Sequence, residues 1–162
     1  MSNHRDPKWA LHHRLVSNLD LLEAQAASHG ISFHVTSGAR GFERQAILDH
    51  AYDQDREMAR LQYGVVADPA PMGKSRHHPF IEGKAVAADL RVEAEDATVR
   101  AMKQRKLGEL AESISLFWGG RFLKPDLVHF ELKAEDGKRF DVDAEYIKLG
   151  ALLDVVTGFT GT

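Results

Sequence analysis

Cysteine is absent from this 162-residue chain. Its absence excludes a disulfide framework, a Cys-ligated zinc ribbon, an iron–sulfur cluster and a cysteine nucleophile. Any metal must therefore be held by His, Asp or Glu. No apolar run approaches the roughly 18–20 residues that span a bilayer, so membrane insertion is not expected. Neither sign of charge dominates: Lys+Arg is 21 against Asp+Glu 24, a formal net charge of −3. That balance offers no electrostatic grip on nucleic acid or on an anionic membrane. The start, Met1 to Trp9, shows no apolar stretch followed by a small-residue cleavage site, so no secretory signal is expected. Internal repeats, low-complexity tracts and linkers are also missing. What remains is 43% hydrophobic and 28% charged, the balance of an ordinary globular domain. The length fits one domain, and we expect a monomer. Nine histidines are many for this length, and the question they raise is whether some converge.

Asp6 and Pro7 read as a helix start, followed by Leu11, Leu15, Leu19, Leu22 and Ala26 at helical spacing and by Gly30 as a left-handed cap. Ile31 to Thr36 alternates as a half-buried strand, and Ser37 to Gly41 is a turn. A second helix is expected from about Phe42 to Tyr63. Gly64 to Glu82 carries Pro69, Pro71, Gly73 and Pro79 and reads as one long loop, a length often tied to function. Ala85 to Leu90 is a buried strand, Glu95 to Ile114 a third helix, Trp118-Gly119-Gly120 a turn, and Leu127 to Leu132 a further strand. Glu135 to Lys138 is a hairpin turn leading to a short strand near Phe140. Asp143 to Val156 is a last helix, with a frayed end after it. The class is α+β, a small antiparallel sheet packed against helices in a single domain, with a core of about 7–133 and a C-terminal extension of 134–162.

Three segments carry candidate chemistry. The first is Ser75-Arg76-His77-His78, near the end of the Pro-rich loop. The second is Asp89, which follows small apolar residues where a bare carboxylate is costly to bury. The third is Asp126 to Glu131, with His129 inside an apolar strand. Two imidazoles and a carboxylate make a common catalytic zinc set, with one position left for water. Read singly, each of these residues has a plainer explanation. A strand histidine is usually a hydrogen-bonded core residue, and Asp89 would serve as a helix cap or an Arg partner. Arg40 reads alone as a surface residue after a turn, Asp126 as the start of a turn after Pro125. His4, His12, His13, His29, His34 and His50 read as scattered surface or core residues.

In order along the chain, Ser75-x-His77, Ala87-x-Asp89-Leu90, Trp118-Gly119-Gly120 and Asp126-x-x-His129-Phe130 resemble the zinc-ligand motifs of the VanY-like D-Ala-D-Ala carboxypeptidase family. The L-alanyl-D-glutamate endopeptidase branch, which includes phage endolysins, looks nearest. Thr36-Ser37-Gly38-Ala39-Arg40 with Gln45 is similar to the Ser-Gly-x-Arg…Gln element of the same family. One departure stands out. The family pattern is His-x-x-Gly-x-Ala-x-Asp, whereas here Asp89 follows His77 by twelve positions. The extra residues lie within His78 to Lys84, and loop length alone costs little. They leave His78 as an alternative first ligand and Glu82 as a possible intruder, although His77 keeps the Ser-x-His register.

The resemblance implies Zn²⁺ held by His77, Asp89 and His129, with Asp126 as general base and then acid. Arg40 would stabilise the oxyanion or pair with a substrate carboxylate. Gln45 would orient Arg40, and with Ser75 would contribute to substrate binding; Glu131 is a candidate acceptor behind a ligand histidine. The implied partner is bacterial peptidoglycan, and the implied bond is L-Ala–D-Glu in its stem peptide. Lack of a signal peptide resembles a phage endolysin, made in the host cytoplasm and released to the wall through a holin. Two rivals stand beside this: a D,D-carboxypeptidase releasing terminal D-Ala, and a metal-free relative with a structural or binding role.

Overall fold

The computed structural model describes residues 2–65, 70 and 74–142. A four-stranded antiparallel sheet, in the order β1-β2-β4-β3, forms its centre. The strands are β1 (Phe33–Ser37), β2 (Ala87–Val92), β3 (Leu116–Trp118) and β4 (His129–Leu132). Among the described residues the α-helices are α1 (His13–Ser28), α2 (Phe42–Gln54), α3 (Arg56–Tyr63) and α4 (Ala97–Ser113). The α+β architecture expected from the sequence is present. No helix among these residues is long and apolar enough to cross a membrane.

One face of the sheet packs on α1 and α4. Side chains alternate along a strand, so Ala88, Leu90 and Val92 of β2 and Phe130 of β4 point into the core and are buried. Leu15, Leu19, Leu22 and Ala26 meet them from one stripe of α1, and Leu107 and Ala111 from α4. The opposite alternation, Asp89 on β2 with His129 and Glu131 on β4, belongs to the other face. The sequence pattern therefore assigns polar residues of central strands to a single side of the sheet.

Several expectations shift. Asp6 caps a short 3-10 turn, Pro7–Trp9, and not α1. His12 is the N-cap of α1, its ring accepting from the Arg14 amide, while Leu11 pairs with Ala85 as an isolated bridge. The helix expected over 42–63 is two helices, because Asp55 adopts an extended backbone and its carboxylate caps α3 through the Glu57 and Met58 amides. Strand β3 arises where only a turn was expected; Ser115 takes a left-handed φ of 66° and swings the chain from α4 into the sheet. Residues around Phe140 form no strand; the chain turns at Gly137, whose amide donates to the Ala134 carbonyl at 2.9 Å while the Ala134 amide donates to the Lys138 carbonyl at 2.8 Å, and Phe140 packs on the core. The helix expected over Asp143 to Val156, and the frayed end after it, lie outside the described residues, as do parts of the long loop.

Trp118 ties α4 to the sheet. Its indole N–H donates to the Leu127 carbonyl at 2.9 Å. The ring fits only because two glycines make room: a Cβ on Gly108 would lie 2.2 Å from it, and one on Gly120 2.3 Å. The ring is buried and anchored, so it cannot swing aside. Gly108→Ala should therefore destabilise the fold by about 1–3 kcal/mol despite the better helix propensity of alanine. Chemical denaturation of the two proteins measures this; an unchanged or higher stability would show that the ring relaxes freely.

Candidate metal centre

Strand register places two of the key side chains. Asp89 and His129 are directly opposed on β2 and β4, so their side chains emerge side by side on one face. Ser37 of β1 stands opposite Asp89 on the other side, after a bulge between Val35 and Ser37. Bulges re-aim the chain next to functional sites. Here the bulge carries Gly38 to where its carbonyl accepts from His77 Nδ1 at 2.7 Å. His77 arrives on a tight turn whose start is fixed by Ser75: the Ser75 hydroxyl accepts from the His77 amide at 3.1 Å. The Arg40 amide holds the His77 carbonyl at 2.7 Å.

These constraints gather three donor atoms. His77 Nε2 lies 3.2 Å from His129 Nδ1 and 3.2 Å from Asp89 Oδ1, and His129 Nδ1 lies 3.4 Å from the same oxygen. With bonds of about 2.0–2.1 Å, neighbouring donors around a tetrahedral zinc are roughly 3.3 Å apart. The triangle matches one face of that tetrahedron.

Hydrogen bonding assigns the tautomers. His77 uses its Nδ1 proton on Gly38, so Nε2 presents a lone pair. His129 uses its Nε2 proton on Glu131 Oε1 at 2.8 Å, so Nδ1 presents a lone pair. Asp89 Oδ1 is buried and accepts no well-formed hydrogen bond, while Oδ2 faces Arg40 Nη2 at 3.3 Å. Three lone pairs pointed at one another in a largely buried place repel unless a cation lies between them. The donor set therefore fits a divalent metal.

Charges around the triangle follow. Burial pushes the Asp89 carboxyl up, but the His77 and His129 rings outweigh it and hold the group far below the usual carboxylate range. Burial pushes His129 down, yet Asp89 and Glu131 together raise it to about 10. Without a metal, a proton on this ring fills the place of the cation. Glu131 is 1% exposed. Burial raises its carboxyl, while hydrogen bonds from Arg139 and His129 overcome this and bring it to about 2. Arg139 Nε donates to Glu131 Oε2 at 2.8 Å, and the Arg139 guanidinium stacks over the Phe122 ring at 4.7 Å.

His78, the alternative first ligand, turns away: its Nδ1 reaches the Arg40 carbonyl at 2.7 Å. Glu82 lies with His12 and His13, not in the triangle. Asp126 sits in the turn before β4. Gly119 makes its place, since a Cβ there would be 2.5 Å from the Asp126 carbonyl and 3.0 Å from His129 Cβ. Burial raises the Asp126 carboxyl and the nearby Asp89 charge adds to it; its Oδ1 is buried without a partner. Arg40 is held by Gln45 Oε1 at 2.9 Å, Ser37 Oγ at 2.7 Å and Asp89. Gln45 is fully buried, and its amide nitrogen donates to the Ala70 carbonyl. It sits behind Arg40. His77, Asp89, His129, Asp126, Arg40 and Gln45 border one cavity of about 880 Å³, which also meets Arg44, Arg60 and Lys74.

No family model matches the chain, and no curated protein matches it in sequence. Solved structures do match. A VanY D,D-pentapeptidase from a VanB-type resistance cassette, in complex with Zn(II), aligns with a TM-score of 0.55 at 17% identity, over 85% of this chain and 78% of that one. The L-Ala D-Glu endopeptidase ChiX of Serratia marcescens aligns at 0.50 and 19%, over 84% and 92%. DacB of Streptococcus pneumoniae aligns at 0.53 and 19%, over 94% and 79%. The chain has a VanY-like peptidase fold. At these identities the likeness concerns the fold, so the chemistry of the site rests on the geometry above.

Sequence reasoning missed the Gly38 carbonyl, Arg139 and Arg76, whose Nε lies 3.9 Å from Glu131 Oε2. A backbone acceptor has no sequence signal. Arg139 lies beyond the last strand in a stretch without periodicity, and Arg76 looks like any loop arginine. Yet Arg139 keeps Glu131 ionised, and Glu131 keeps the His129 tautomer. The folded pKa of Glu131 lies below its ordinary 4.5, so its contribution to stability is present above that value and is lost as pH falls towards 2. Arg139→Gln should reduce this contribution and move acid unfolding of the metal-free protein to higher pH. An acid titration followed by circular dichroism checks it; coincident curves would mean that Arg139 does not hold Glu131.

Proposed function

We propose that this protein is a zinc-dependent peptidoglycan hydrolase that cleaves a stem-peptide bond, L-Ala–D-Glu, in the manner of a phage endolysin. The observation that carries the reading is the triangle of three donor atoms, at 3.2–3.4 Å, from His77, Asp89 and His129. The shared fold with a D,D-pentapeptidase and an L-Ala D-Glu endopeptidase supports the reaction class. The cavity, about 880 Å³, lies near the top of the range of roughly 300–1,000 Å³ typical of small-ligand sites, room for a peptide substrate. The arginines and lysine around it suit the free carboxylates of a stem peptide.

His77, Asp89 and His129 would hold the metal, which supplies Lewis acidity at the scissile carbonyl and lowers the pKa of water. Asp126 takes the proton from the attacking water and passes it to the leaving amine. Its raised pKa suits it to both halves of that exchange. Arg40, which borders the cavity, would set its positive charge against the negative charge that develops on the carbonyl oxygen. Gln45 and Ser37 fix its direction. Ser75 shapes the turn that presents His77.

Two substitutions separate the roles. Asp126→Ala should retain metal and lose activity by about 10²-fold or more, whereas His129→Ala should lose both. Metal content by mass spectrometry and turnover on purified peptidoglycan are the measurements; full activity in Asp126→Ala would remove it from the mechanism. Mass analysis of the digested muropeptides identifies the bond. Cleavage between L-Ala and D-Glu is expected. Release of free D-Ala would establish the carboxypeptidase instead, and absence of both products with no bound zinc would establish a metal-free relative.

A further inference from the structure

Among the described residues, one other group brings three donor atoms together: His12, His13 and Glu82. It has no part in the chemistry above. His12 caps α1 and is buried, while His13 is the first residue of that helix and is 75% exposed in its side chain. Glu82 stands at the tip of the segment that lengthens the interval between His77 and Asp89. That segment is a small hairpin, closed by a bridge between Ile81 and Lys84. Its two turn residues are both left-handed, Glu82 at φ 53° and Gly83 at φ 69°. Such turns favour Asn, Asp or Gly, and Glu at the first position is a costly choice that Asn would avoid. The hairpin is pinned beside α1 by the His12 amide on the Ala85 carbonyl and the Ala85 amide on the Ala10 carbonyl, each at 2.9 Å.

This arrangement points Glu82 at two imidazoles. Its Oε2 lies 3.1 Å from His12 Nε2 and 4.0 Å from His13 Nε2, and the two rings lie 4.4 Å apart at 31°. We propose that His12, His13 and Glu82 form a second divalent-cation site, for Zn²⁺ or a similar borderline ion, that staples the inserted hairpin to the start of α1. Two nitrogens and one carboxylate oxygen suit such an ion. The His12–Glu82 edge is already close to the roughly 3.3 Å of a tetrahedral site. His13, 4.0 Å from Glu82 Oε2 and with a ring nitrogen within 4.8 Å of one on His12, closes the rest by a rotation that its exposure permits. Burial holds the His12 ring below its ordinary pKa, so it is neutral and able to donate at neutral pH.

Two effects make this site weaker than the triangle. The start of α1 carries the positive end of the helix dipole, which disfavours a cation and which the Glu82 charge offsets. In addition, His12 Nδ1 accepts from the Arg14 amide at 3.3 Å, so in the metal-free chain the ring proton is on Nε2 and faces Glu82. A cation on Nε2 moves that proton to Nδ1, and the Arg14 amide loses its acceptor. Loading the site therefore loosens one helix-capping bond while it fastens the hairpin, and that hairpin directly follows the turn that presents His77.

The test is equilibrium dialysis of the full chain against Zn²⁺, with amide NMR alongside. The wild type should bind two equivalents. His13→Ala and Glu82→Gln, both at exposed side chains, should each bind one and keep the wild-type circular dichroism. The Arg14 amide should shift and exchange faster with zinc in the wild type only. Equal stoichiometry in all three proteins, or an Arg14 amide indifferent to zinc, overturns the second site. The outcomes also separate this site from the proposed peptidase centre. A single wild-type equivalent that survives His13→Ala rejects the second site and leaves the triangle standing. A single equivalent lost in His13→Ala rejects the triangle and keeps the second site.

Discussion

Three donor atoms are held within 3.4 Å of one another at the edge of a cavity, and the surrounding protein is arranged to stop any of them turning away. Gly38 takes one imidazole proton and Glu131 the other, so each ring keeps its free nitrogen towards Asp89. Arg40 takes the second oxygen of Asp89, leaving the first without a well-formed hydrogen bond. Such a grouping is costly on its own, because buried lone pairs repel and lack water. A cation removes the cost, which is why the geometry reads as a metal centre and not as a set of core histidines.

The rigidity behind the centre comes from ordinary packing. Direct opposition of Asp89 and His129 across β2 and β4 fixes their separation, and the core face of the same strands is filled by Leu90 and Phe130. Trp118 locks α4 against the sheet through contacts that only glycine at 108 and 120 allows. Gly119, next to Gly120 in the chain, serves the opposite end of the problem by admitting Asp126 beside His129. One short stretch of sequence thus supports both the core and the cavity. The hairpin after His77 pairs its backbone with the chain before α1, which holds it clear of the triangle.

Where the strands and helices lie was legible to the extent that periodicity reports burial. The stripe of leucines in α1 and the apolar run of β2 are cases in which one face is buried throughout, and both were evident. The break at Asp55 was not, because a capping carboxylate in the middle of a helical pattern looks like any exposed acid until its backbone conformation is known. β3 was not, because three residues hold too little alternation to register. Phe140 suggested a strand by its character, yet it only packs against the core as an isolated side chain.

Residue chemistry alone determined that any metal here would be held without thiolates and that an α+β core would carry it; it marked the segments around His77, Asp89 and His129 as candidates, and only the resemblance to the VanY-like family made them a ligand set, with His78 as the alternative to His77. Tertiary structure decided the rest. It chose His77 over its neighbour for the triangle by giving His78 the Arg40 carbonyl, sent Glu82 to a different pair of histidines, put Gln45 behind Arg40, and brought in Arg139 from beyond the last strand. The reason is that spacing along a chain governs only local geometry. Donors twelve and forty positions apart (77 to 89, then 89 to 129) meet only through strand register and a bulge, and those are properties of the packed sheet.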